Sequence, residues 1–218
     1  MTPLDYYARY RIYRGLALHQ LRVAAVGRYV ALHSRAEADA ALVSLVGLFH
    51  DMGNIIKADL PRYQEFLQPE GLGYWQAVQD EYLSRYGKDE HVATAAICLE
   101  MGLPERVLGI IEDMRFAHTQ EIVRKGSLDE RICKYADLRV SPWGILPMRE
   151  RLAEARERYS GRPMDEGDAY TPESLAHAAA LCEELEAGLI AECGFVPEEI
   201  TDASMAPLVE ELKGYRVS

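Results

Sequence analysis

A histidine and an aspartate stand side by side, as His50 and Asp51, at the end of the most apolar stretch of the chain. The residues before them, AALVSLVGLF, carry no charge, which is typical of a helix buried on all sides. A carboxylate at the end of such a helix is costly to bury unless a cation or several hydrogen-bond donors compensate its charge. The pair is therefore either a metal-binding pair or a hydrogen-bonded helix end, and taken alone it favours the helix end.

Other imidazoles and a second carboxylate shift the balance toward metal binding. Among the six histidines of the chain, His19 lies on a long predicted helix, His91 begins a helix and His118 ends one. Asp137 lies in the apolar-flanked segment ICKYADL. With the adjacent pair, these residues offer four imidazoles and two carboxylates, which suit one or two divalent cations such as Fe, Mn, Ni, Co or Zn. Mg and Ca prefer sites that consist of oxygen ligands alone.

The elements that must position these residues are predicted to be helices. Leu18, Leu21, Ala25 and Tyr29 recur at spacings of three and four, which indicates one face of a helix over 14–33. Similar patterns and end signals predict further helices at 37–49, 75–86, 90–101, from 104 toward 118, 127–139 with a Ser127–Glu130 capping box, 148–159, 172–193, and near the C-terminus. The segment 60–73 is expected to be a loop with short helical pieces, and 161–172 a polar loop.

No alternating strand pattern of convincing length interrupts these helices. The fold class is therefore expected to be all-α, a helical bundle. We expect a metal-binding core over residues 1–142 and a helical extension over residues 143–218 packed on that core.

The composition limits the partners. The formal net charge is −11, with 35 acidic against 24 basic residues, and no Lys/Arg cluster offsets it, so polymeric nucleic acid is not an expected partner. A small anionic substrate remains compatible with this charge, because a metal centre reverses the local field.

The cysteines and the N-terminal residues indicate the cellular compartment in which the protein is expected. The four cysteines are far apart and lie in apolar helical patterns, which predicts buried free thiols in a reducing compartment. The N-terminal residues are too polar and aromatic for a signal peptide, and no apolar run reaches 18 residues, so we expect a cytoplasmic protein without a membrane partner. The charged helix at 148–159 is either a solvated face or a contact in a homodimer.

The order His19, His50-Asp51, Asp137 resembles the H…HD…D pattern of the HD superfamily of metal-dependent phosphohydrolases. The surrounding sequence is similar as well, in LHQLRVAAVGRYVA, LVGLFHDMGN and CKYADLRVSP, and the resemblance covers roughly residues 15–142. It implies an HD-domain helical bundle in which these four residues bind one metal ion.

Two further histidines, His91 and His118, fall between HD and the final aspartate. Their spacing resembles the H…HD…H…H…D subset, and most of all the bacterial symmetrical diadenosine tetraphosphate hydrolases. That resemblance implies a second metal ion bound by His91 and His118, with Asp51 bridging the two ions. The alternative is a mononuclear enzyme in which both histidines are structural. His33 and His177 match no position of the pattern.

One departure from the family concerns the lysine that follows HDxG, which is Asn54 here. That lysine is thought to contact phosphate in many members. Lys57, one helical turn further on, and Arg139, two residues after Asp137, are candidates to supply a cation in its place. The predicted catalytic residues are therefore Asp51, Asn54, Lys57 and Arg139.

The resemblance implies hydrolysis of a phosphate ester or anhydride of a small substrate, a nucleotide in the first instance, by metal-activated water. A first alternative is an HD-type mixed-valent di-iron oxygenase, which oxygen consumption by the reduced iron form would reveal. A second is a non-catalytic nucleotide-sensing module, which would bind nucleotide tightly without turnover.

Overall fold

The computed structural model describes residues 1–159 and 171–217. The α-helices in these ranges are α1 Pro3–Arg9, α2 Arg14–His33, α3 Ala40–Phe49, α4 Leu72–Tyr86, α5 Glu90–Glu100, α6 Glu105–Asp113, α7 Thr119–Lys125, α8 Leu128–Arg139, α9 Met148–Tyr159, α10 Pro172–Cys193 and α11 Asp202–Lys213. Short 3-10 helices cover Asn54–Lys57, Leu60–Leu67, Phe116–His118 and Pro197–Glu199. Positions 161–170 of the predicted polar loop lie outside the described residues.

The all-α fold class is confirmed, because the only β pairing in the described ranges is an isolated bridge between Val140 and Ile145. Helix α2 has the predicted bounds, whereas α3 begins three residues later than predicted. Asp39 causes the later start, since its carboxylate accepts hydrogen bonds from the backbone N–H groups of Ala41 and Leu42 and so caps the helix.

Helices α2 and α3 form the centre of the bundle and approach each other closely at Gly47. A Cβ atom at Gly47 would lie 2.6 Å from Cα and 2.7 Å from the nitrogen of Ala24. The glycine is therefore needed for its small size. It lies one turn before His50, and Ala24 lies five residues after His19, so this contact brings the two histidine-bearing regions together.

The single helix predicted from 104 toward 118 is wrong. Helix α6 ends at Asp113, the backbone turns extended at Arg115, and a short 3-10 helix leads into α7. The break has a tertiary cause, because the buried ammonium of Lys134 binds the carbonyl oxygens of Met114 and Arg115. No glycine or proline marks this break in the sequence.

The C-terminal helices pack on the rest of the bundle. Helix α10 packs against α8, and α11 packs against α2, so that one hydrophobic core includes residues from both the first eight helices and the C-terminal helices.

Two further sequence predictions are confirmed. The Ser127–Glu130 capping box is present at the start of α8, and all four cysteines are free and buried. The boundary at residue 142 stays a prediction. None of the described helices is long and apolar enough to cross a membrane.

Candidate metal centre

Three helices bring four potential metal ligands to one point. His19 lies on α2, His50 caps the end of α3 with Asp51 directly after it, and Asp137 lies on α8. Nε2 of His19 is 3.5 Å from Oδ2 of Asp51 and 3.4 Å from Oδ1 of Asp137, and Nε2 of His50 is 3.8 Å and 3.5 Å from the same two oxygens. The ligand atoms of His19, His50 and Asp51 all lie within 4.8 Å of one another, which suits binding of one ion by nitrogen and oxygen atoms. Asp137 lies against both imidazoles and is a fourth potential ligand.

The orientation of the His50 ring supports this interpretation. Its Nδ1 lies 3.0 Å from the carbonyl oxygen of Gly47 and donates to it, so the neutral ring keeps its lone pair on Nε2. Nε2 is buried and has no hydrogen-bond partner, although it faces carboxylate oxygens. A lone pair that faces carboxylates in a side chain only 3% exposed is unfavourable, so either a proton or a metal ion is needed on Nε2.

The electrostatics of the metal-free residues point the same way. Burial alone would lower the pKa of His50, but the carboxylates of Asp51 and Asp137 raise it to about 9. Burial works to raise the pKa of Asp137, yet the imidazoles of His50 and His19 hold it well below its usual range. The cluster therefore binds positive charge, which a proton on the ring or a divalent ion can provide.

Two amide side chains fix Asp51. The side-chain amide of Asn54 donates to Oδ2 of Asp51 over 2.6 Å. On the other side, the backbone N–H of Asp51 donates to Oε1 of Gln20, a fully buried residue beside His19. Asp51 is thus held through both its side chain and its backbone.

The turn after Asp51 packs against α5. A Cβ atom at Gly53 would lie 2.5 Å from the carbonyl oxygen of Glu90 and 2.7 Å from the nitrogen of Thr94, so only glycine allows this approach. The backbone N–H of Gly53 donates to Oγ1 of Thr94 over 2.9 Å. This packing explains the glycine that follows the His-Asp pair and brings α5 to the site.

His91 and Lys57 lie beside the centre but are both directed at Glu90. Nε2 of His91 is 3.4 Å and Nζ of Lys57 is 2.5 Å from the same oxygen, Oε1. His91 lines the cavity described below, and burial is the main reason that its pKa is lowered. His118 is placed elsewhere, since its Nδ1 is 3.4 Å from Asp113 and its side chain is 42% exposed. Within the described ranges, no group of three or more potential ligands includes either histidine.

Arg139 is not brought to the centre. Two residues along a helix correspond to a rotation of about 200°, so Arg139 lies on the opposite face of α8 from Asp137. It is 1% exposed, and its guanidinium donates to the carbonyl oxygens of Leu146, Pro197 and Ile200. These bonds give it a structural role in joining α8 to the C-terminal segment.

A cavity of about 710 Å³ opens over the four ligands. Besides the ligands, its wall includes aromatic side chains, cations, and residues of α9 and α10, such as Tyr13, Phe116, Lys134, Leu152 and Ala176. The sequence interpretation missed Lys134, although its position three residues before Asp137 places the two on one helix face. It also missed Gln20, for which the sequence holds no signal.

Comparison with known proteins gives one match. The family model described as "HD domain" matches residues 16–139, more than half of the chain and a range that includes all four ligands. No curated protein and no solved structure matches this chain.

Proposed function

The chain belongs to the HD-domain family, and from this premise we propose that it hydrolyses a phosphate ester or anhydride of a small substrate, with nucleotides as the first class to test. The observation that carries the proposal is the convergence of His19, His50, Asp51 and Asp137 around the unpartnered Nε2 of His50.

These four residues would hold one divalent transition-metal ion, because two imidazoles and two carboxylates suit Fe, Mn, Ni, Co or Zn. A bound ion supplies positive charge that polarises a phosphoryl oxygen and makes water at the site more acidic. The set differs from the all-oxygen sites typical of Mg and Ca.

The chain's own residues prepare the site. The carbonyl oxygen of Gly47 fixes the tautomer of His50, and Asn54 and Gln20 fix the orientation of Asp51. Such supporting contacts limit how far each ligand must rearrange when the ion binds. Apolar and aromatic side chains of the cavity, among them Tyr13 and Phe116, reduce the access of water around the substrate.

We propose one ion per chain. The second ion that the resemblance predicts would need His91 and His118, and these side chains face Glu90 and Asp113 instead. A dinuclear centre is the alternative that the spacing of His91 and His118 favours, and the likeness to diadenosine tetraphosphate hydrolases stays a prediction.

The proposal is tested by metal analysis of the purified chain, followed by a phosphate-release screen over nucleotides and simple phosphate esters. We expect bound Fe, Mn, Ni, Co or Zn, metal-dependent phosphate release, and loss of both in Asp51→Ala. Asp80→Ala, at an exposed position of α4, is the matched control and should behave as wild type. A wild-type chain that binds no such metal, or an Asp51→Ala variant with full activity, would overturn the proposal.

A further inference from the structure

Lys134 is a buried cation in the wall of the cavity. It lies on α8 one turn before Asp137 and is only 2% exposed, yet it contributes to the cavity lining. Residues three apart lie on the same face of a helix, so Lys134 and Asp137 face the same region.

The contacts of the ammonium leave part of its bonding capacity unused. Nζ donates to the carbonyl oxygens of Met114 over 2.8 Å and Arg115 over 3.3 Å, and it lies 5.7 Å from the centre of the Phe116 ring. An ammonium has three N–H donors, and the two carbonyls account for two of them. Within the described residues no other acceptor is bonded to Nζ, so one N–H remains for a ligand.

The charged groups around Lys134 come from several elements. Asp137 on its own helix and Asp51 after α3 favour the ammonium, whereas Lys57 on the 3-10 helix disfavours it. The thiol of Cys182 on α10 also lies within electrostatic range. Burial outweighs the favourable interactions and lowers the pKa of Lys134. Neither carboxylate lies within ion-pair distance of Nζ in the described residues, so the ammonium has no direct counter-ion.

The carbonyl oxygens that follow α6 and the ring of Phe116 favour a cation at this position, but they do not neutralise a full buried charge. Two backbone carbonyls can be satisfied by a neutral donor, and burying an ammonium without a counter-ion costs free energy. A divalent ion bound to Asp51 and Asp137 would compensate the negative charge of those carboxylates, so they would not serve as counter-ions for Lys134. An anion in the cavity would complement the remaining N–H.

We propose that Lys134 is a phosphate-binding residue, whose Nζ donates its remaining N–H to a non-bridging oxygen of the phosphate group at the metal centre. The proposal rests on the proposed function for the identity of the anion. It assigns a positive charge at the site to a residue outside the segment 50–57, in which Lys57 is directed at Glu90.

Binding of inorganic phosphate tests this without turnover. Calorimetric titration of zinc-loaded protein should give an affinity about 10- to 100-fold weaker in Lys134→Gln than in wild type, as expected for losing a charge-assisted hydrogen bond. Lys88→Gln, at an exposed position before α5, is the matched control and should bind phosphate as wild type does. Zinc content is measured in each variant, and it should not change because none of the four ligands is altered.

A second measurement needs no variant. The ¹⁵N resonance of Nζ of Lys134 in the zinc-loaded wild type should shift as phosphate is added, with the same concentration dependence as the calorimetric signal. If Lys134→Gln does not fold, this arm decides the question. An unshifted Nζ resonance at saturating phosphate, or a folded Lys134→Gln with wild-type phosphate affinity, would overturn the proposal.

The two proposals fail in different ways. If phosphate binds through Lys134 but no substrate releases phosphate, the proposed hydrolysis is wrong and the anion site stands. If substrates are hydrolysed but the calorimetric and ¹⁵N measurements show no role for Lys134, only the present inference is wrong.

Discussion

The side-chain amide of Asn54 donates a 2.6 Å hydrogen bond to Oδ2 of Asp51, the same oxygen that faces the rings of His19 and His50. Where the family pattern has a lysine, this chain therefore has a neutral donor directed at a candidate metal ligand. A neutral amide orients the carboxylate without competing with the ion for its charge. Asn54 is thus a positioning residue for Asp51.

Removing this donor should weaken metal binding without unfolding the protein. In Asn54→Ala, Asp51 loses the bond that fixes Oδ2, and we expect the metal affinity to fall about 10- to 100-fold, as is usual for partners of metal ligands. Competition with a chromophoric chelator measures this affinity. Gln64→Ala, which removes an exposed amide bonded to the carbonyl of Pro61, is the control and should leave the affinity unchanged. An unaltered affinity in Asn54→Ala would contradict the positioning role.

The close approach of α2 and α3 at Gly47 gives a second prediction. In Gly47→Ala, the added Cβ would lie 2.6 Å from backbone Cα of Ala24, so the helices must separate, and we expect the free energy of unfolding to fall by about 1–3 kcal/mol. The same separation should weaken metal binding, because it moves His19 away from His50. Urea unfolding of the metal-free protein and chelator competition measure the two effects.

Gly109→Ala is the matched control for this change. Gly109 lies inside α6, and a Cβ atom there would meet nothing within 4 Å. Alanine is a better helix former than glycine, so this variant should gain about 0.5–1 kcal/mol and keep the wild-type metal affinity. Similar stability changes at the two glycines would mean that helix propensity, rather than close packing, determines the effect at Gly47.

The sequence predicted what depends on local patterns. The bounds of α2 follow from its periodicity, and the start of α8 follows from the capping box of Ser127 and Glu130. The ligands on α2, α3 and α8 could be grouped because the family pattern relates residues that are distant in the chain. A local pattern alone could not have brought His19 to Asp137.

What the sequence did not predict depends on tertiary contacts. Helix α6 ends where Lys134 binds the carbonyl oxygens of Met114 and Arg115, and no residue type near Asp113 marks that end. Arg139 was selected for its proximity to Asp137 in the chain, but helix geometry places it on the opposite face. Distance along a helix must therefore be converted into rotation before a charged residue is assigned to a site.

Arg139 should contribute to stability rather than to the reaction. Arg139→Met leaves the carbonyl oxygens of Pro197 and Ile200 without their donor in a buried region, and we expect a loss of about 2–4 kcal/mol in the free energy of unfolding. Metal affinity of the folded variant should stay at the wild-type value, because none of the four ligands contacts this guanidinium. Arg149→Met removes an exposed arginine of α9 and should change neither quantity. Loss of activity at unchanged stability would instead restore the catalytic role predicted for Arg139.

The role of His118 distinguishes a site with one metal ion from a site with two. The family spacing predicts that it binds a second ion with His91, yet it lies 3.4 Å from Asp113 beside the break between α6 and α7, whereas His91 lines the cavity. We expect one ion per chain in the wild type and the same content in His118→Ala, measured by plasma mass spectrometry after removal of loosely bound metal. His177→Ala, which alters another exposed histidine, is the matched control. If the wild type holds two ions and His118→Ala holds one while His177→Ala holds two, the segment around His118 must move toward Asp51 on metal binding, and the site is dinuclear as the spacing predicts.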